Sequence, residues 1–161
     1  MYVPFNELHE KARVWIYQAD RKFSEKECEI IEQEGRNFSE EWTAHNQALK
    51  ASITVKHSQF IIISVDESQT MASGCSIDKS VHFIQFLEKK LSVNLLDKSK
   101  VALLIDEQID LTPIGNIKDK IAQGHINENS LVFNNLVGDI DSFNNEWVVP
   151  AKNSWMNRFF N

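Results

Sequence analysis

The sequence has little of what marks most specialised proteins. Its two cysteines, Cys28 and Cys75, stand far apart in 161 residues. They form no C-x-x-C pair, and no histidine follows either at zinc-ligand spacing, which excludes a disulfide framework and a zinc module of the usual kinds. Two free thiols in a reducing compartment is the simplest reading. No apolar run approaches the roughly 18 residues that cross a bilayer, and runs such as Phe60-Ile61-Ile62-Ile63 are strand-sized. Met1–Glu7 lacks the basic start and apolar stretch of a secretory signal, so a cytoplasmic location is expected. Basic clusters are missing too. With 17 Lys and Arg against 23 Asp and Glu, net charge is -6. That argues against sequence-independent nucleic-acid binding and against docking on anionic membranes, both of which need concentrated Lys and Arg. The three prolines sit at the edges of elements, and no repeat, low-complexity tract or flexible linker interrupts the chain.

What is present is ordinary globular material, 42% hydrophobic and 25% charged, enough for one domain with a proper core. Arg13–Tyr17 has strand composition. Ser24 with Glu27 three residues on is a capping-box pattern for a helix whose face carries Cys28, Ile31, Phe38 and Trp42, with a kink expected at Gly35. Ala51–Lys56 and Gln59–Val65 read as strands joined at His57-Ser58. Asp78 is placed to cap a second helix, with Val81, Ile84, Phe86, Leu87 and Leu91 as its apolar stripe. Lys100–Ile105 reads as the next strand.

This order predicts an α+β fold with a ferredoxin-like split βαββαβ core over about 12–106: an antiparallel sheet with both helices on one face. A C-terminal α/β extension, about 107–161, completes a single domain. In it, Asp106–Leu111 is a short strand, Pro113–Gln123 a helix stopped by Gly124, and Leu131–Phe133 a strand. Asp139–Asn145 reads as a polar loop, Trp147–Val149 as extended, and Asn153 as the cap of a terminal helix.

The chemistry-bearing residues concentrate between Asp66 and Asp78. Cys75 near a helix start meets the positive end of the helix dipole and free backbone N–H groups, which favour a thiolate. Gly74 allows a tight turn and close approach of another molecule. Ser73 and Ser76 add hydroxyls, and the same N–H groups suit a carboxylate or phosphate. A catalytic thiol wants a base, and His45, in the polar turn after the first helix, is the best placed; His57 and His82 are weaker choices. Asp66, Glu67 and Asp78 are acid, base or hard-metal candidates, though Asp and Ser near a helix start ordinarily serve as caps. No His/Cys/carboxylate spacing suggests a transition-metal site, and no cofactor is implied. The four tryptophans fit core or interface positions, with Asn134, Asn135 and Trp155 as an alternative groove.

Several stretches together resemble a family of small uncharacterised Bacteroidetes proteins. They are Pro4-Phe5-Asn6-Glu7-Leu8, Val14–Arg21, Trp42-Thr43-Ala44-His45, Ala72–Asp78, Val132–Leu136 and Val149-Pro150-Ala151-Lys152. The resemblance covers nearly the whole chain. Such proteins often carry the label "ABC transporter ATPase". The residues do not support that label, because none of the five glycines opens a G-x-x-x-x-G-K-[ST] phosphate loop. The resemblance implies a bacterial source and transfers no catalytic residue.

Two functions follow as expectations. The first is a non-catalytic binding or interaction module with a polar site at the 66–78 turn. Its partner would be a protein, a small-molecule ligand or a second copy in a homodimer. The second is a small thiol-dependent enzyme or redox sensor with Cys75 as nucleophile and His45 as base.

Overall fold

The computed structural model describes residues 1–161, and its first strand, β1 (Arg13–Gln18), falls on the extended run that the sequence marks. Ser24 then opens α1 (Glu25–Glu41) with the expected capping box. Its hydroxyl accepts from the Glu27 N–H at 3.1 Å, and the Glu27 carboxylate accepts from the Ser24 N–H at 2.9 Å. Gly35 does not break this helix. A Cβ there would lie 2.8 Å from Ile53 Cβ, so the glycine is what lets the helix sit so close to a strand.

A small hairpin follows, β2 (Thr43–Ala44) and β3 (Gln47–Ala48), turning at His45 and Asn46. Next come β4 (Lys50–Lys56) and β5 (Phe60–Asp66). With β1 they form an antiparallel sheet in the order β1-β5-β4. On one face Trp15, Tyr17, Ile53, Ile61, Ile63 and Val65 share a core with Ile31 and Phe38 of α1. The same core takes Phe83, Ile84, Leu87 and Leu91 from α2 (Gly74–Leu91). Both helices therefore cover one face, as the split motif requires. The stripe on α2 is shifted from the expected one: Phe83 is buried and Phe86 faces outward. On the sheet's other face Val14, Ser52, Ile62 and Ser64 are also buried.

The fold is α+β, but the ferredoxin-like core stops one strand short. The expected fourth strand, β6 (Lys100–Ile105), joins a second sheet instead. It pairs with β7 (Gln108–Pro113) across a two-residue turn at Asp106 and Glu107. Beyond α3 (Ile117–Ala122), β8 (Leu131–Phe133) pairs with its other edge. After α4 (Ile140–Glu146), β9 (Val148–Pro150) completes the order β7-β6-β8-β9. Closing so short a turn costs little chain entropy, so local pairing wins over a distant edge. The place beside β1 is also taken at its start. The Val14 N–H donates to the Gly138 carbonyl and the Ile140 N–H to the Ala12 carbonyl, each at 3.0 Å.

The chain accordingly divides into two compact units, Met1–Leu96 with Gly138–Asp141, and Asp97–Val137 with Ser142–Asn161. β6 therefore belongs to the second unit. In the second unit Val101, Leu103 and Val132 pack with Ile117, Ile126, Ala151 and Met156. Gly124, at φ 77°, follows the end of α3 as its sequence predicts. Two terminal expectations are corrected. Residues 139–145 are not a polar loop: Ile140, Phe143 and Trp147 fall at i, i+3 and i+7 and are buried, which makes α4 a helix. The last turn, Trp155–Phe159, is a 3-10 helix capped by Ser154 rather than Asn153, with the Ser154 hydroxyl accepting from the Met156 N–H. No helix is long and apolar enough to cross a membrane.

Candidate functional site at the start of α2

Most polar groups of the first part of the turn can be followed to a partner. Asp66 ends β5, and its Oδ1 accepts from the Ser68 N–H at 2.9 Å. Hydrogen bonds from the Ser68 hydroxyl and N–H hold the Asp66 carboxyl below the usual carboxylate range. Glu67 reaches across the loop: its Oε2 accepts from the Ala72 N–H at 2.8 Å, and its Oε1 lies 3.7 Å from the Arg13 guanidinium. That guanidinium lies 4.6 Å over the Trp15 ring. Thr70 donates its hydroxyl to the Gln47 side chain at 3.1 Å, tying the loop to the β2–β3 hairpin.

The helix begins earlier than expected, at Gly74, with Ser73 as its cap. Ser76 plays the part that a glutamate usually plays in a capping box. The Ser76 N–H donates to Ser73 Oγ at 3.1 Å, and the Ser73 N–H donates to Ser76 Oγ at 2.7 Å. Asp78, expected as the cap, lies instead in the second helical turn and is exposed. Gly74 also loses the role expected of it. It is the first helical residue, its φ is not positive, and a Cβ there would meet nothing within 4 Å.

Cys75 is the second residue of the helix and is exposed, while Cys28 is half-buried. The sequence therefore places the thiol correctly at a helix N-terminus. The base is a different matter. The Trp42 indole N–H donates to the Ser76 carbonyl at 2.9 Å in the buried core, which brings the end of α1 beside the start of α2. His45 follows on the exposed tip of the hairpin, at φ 51°. The elements thus converge as a Cys75–His45 pair requires, yet no hydrogen bond joins the two side chains, and Cys75 has no carboxylate partner. His57 sits in the β4–β5 turn, where burial, then the Lys56 charge, lowers its pKa. His82 is exposed on α2. No three or more His, Cys, Asp or Glu side chains gather to hold a metal ion.

The alternative groove is also accounted for by local bonds. Asn135 accepts from the Trp147 indole at 2.9 Å, and Asn134 Oδ1 accepts from the Leu136 N–H at 3.3 Å. Trp42 and Trp147 are buried, and Trp155 packs on Phe159 with ring centres 6.0 Å apart. One residue at the turn escapes the sequence reading. Met71 is 71% exposed, a large apolar side chain displayed from the loop that Glu67 holds in shape. Its signal was an isolated methionine in an otherwise polar stretch. No family model, no curated protein and no solved structure matches the chain.

Proposed function

We propose that the chain is a non-catalytic binding or interaction module that engages a partner protein through the Asp66–Asp78 turn. One observation carries this reading. The carboxylates of Asp66 and Glu67 and the hydroxyls of Ser73 and Ser76 are spent on the turn itself, while Met71, Cys75 and Asp78 face solvent. A surface loop held in shape by its own hydrogen bonds suits recognition. On the same reading the protein is cytoplasmic with both thiols reduced. It is akin to the small Bacteroidetes proteins it resembles, and it works without nucleic acid or nucleotide hydrolysis.

A second reading, thiol chemistry at Cys75, draws on the exposure of that thiol in the first turn of an 18-residue helix. The rate of Cys75 alkylation against pH separates the two, with Cys28 followed in the same sample. Under the binding reading Cys75 alkylates no faster at any pH than a cysteine in an unstructured peptide. A rate at Cys75 alone that stays high at acid pH, where the peptide no longer reacts, overturns it in favour of thiol chemistry. The binding reading has its own test. A photo-crosslinker at position 71 should give discrete protein adducts, a second copy included, that the same group at exposed Glu29 does not. Equal adducts from both positions would sink it.

A further inference from the structure

We draw no further inference here: the strongest candidate, the apolar strip of Leu104, Ile109 and Leu131 paired across one face of the β7-β6-β8-β9 sheet, is an unpartnered face, and nothing in the structure shows what covers it.

Discussion

Gly35 and Ile53 set how closely α1 approaches β4. In a helix interior, Gly→Ala ordinarily gains about 1 kcal/mol from helix propensity alone. Here the new methyl would sit 2.8 Å from Ile53 Cβ and 2.9 Å from Cγ2, atoms fixed close to the strand backbone rather than at the end of a flexible chain. Overpacking of that kind costs about 1–3 kcal/mol. Gly35→Ala should therefore lower the urea midpoint, and a rise would mean that helix and strand separate freely. The sequence showed Gly35 only as a weak spot in a helix, because contact with a residue eighteen positions on leaves no local trace. Cys75 was the opposite case. Its position near a helix start was legible although the cap was placed at Asp78 rather than Ser73, whereas the absence of a histidine bonded to it was not.

At the scale of elements, the Ser24 cap and the His57-Ser58 turn were legible, whereas the caps of α2 and of the last turn and the Asp106-Glu107 hairpin were not. The Ser24–Glu27 box is visible as a four-residue pattern, and Glu27 does more than cap. It forms a bidentate pair with Arg21, at 2.9 and 2.8 Å. Hydrogen bonds from Arg21, then from the Ser24 N–H, bring its pKa from 4.5 to about 2. A carboxyl depressed in the folded state stabilises above its unfolded value and loses that contribution as pH falls. Because the pair is partly solvated, its worth is about 0.5–1 kcal/mol. Glu27→Gln should lower stability by that order at neutral pH, and its gap to the parent should close between pH 4.5 and about 2. A gap that persists unchanged at pH 2 would show that the carboxylate charge is irrelevant.

The turns explain the misplaced strand. Asp106 and Glu107 adopt φ 50° and 61°, the geometry of a tight hairpin normally announced by Asn-Gly or Asp-Gly. His45-Asn46 and His57-Ser58 use the same conformation, also without glycine. With no glycine to mark the turn, β6 looked free to cross to the first sheet. A left-handed conformation costs a non-glycine residue roughly 1–2 kcal/mol, part of which glycine returns as chain entropy in the unfolded state. Glu107→Gly, which creates Asp-Gly, should raise stability by about 0.5–1 kcal/mol in urea titration. A loss would mean that the Glu107 side chain itself supports the turn.

For the molecule as a whole, the β4 edge of the β1-β5-β4 sheet is the place where another strand could pair. An exposed strand edge is a template for association, and proteins block it with cover or with charge. Both devices protect β4. Near its start the Val3 N–H donates to the Ala51 carbonyl at 2.9 Å, and the Ala51 N–H donates to the Met1 carbonyl at 3.0 Å. Further along, Glu32 turns its carboxylate from α1 onto the strand. Its Oε1 accepts from the Val55 N–H at 2.9 Å and from the Thr54 hydroxyl at 3.0 Å. Helical spacing sets Glu32 off the apolar face of Cys28, Ile31, Phe38 and Trp42 and cannot reveal which strand lies beneath it. Removing the side chain with Glu32→Ala frees a backbone donor on the edge and takes away a negative charge beside it. Sedimentation velocity over a range of concentrations should then show the variant associating further than the parent at the same concentration. Glu32→Gln keeps a carbonyl oxygen able to accept from Val55, so it should behave like the parent and separate the edge bond from the charge. If Glu32→Ala sediments as the parent does at every concentration, the carboxylate only steadies α1 on β4, and cover from Met1–Val3 is what keeps the edge closed.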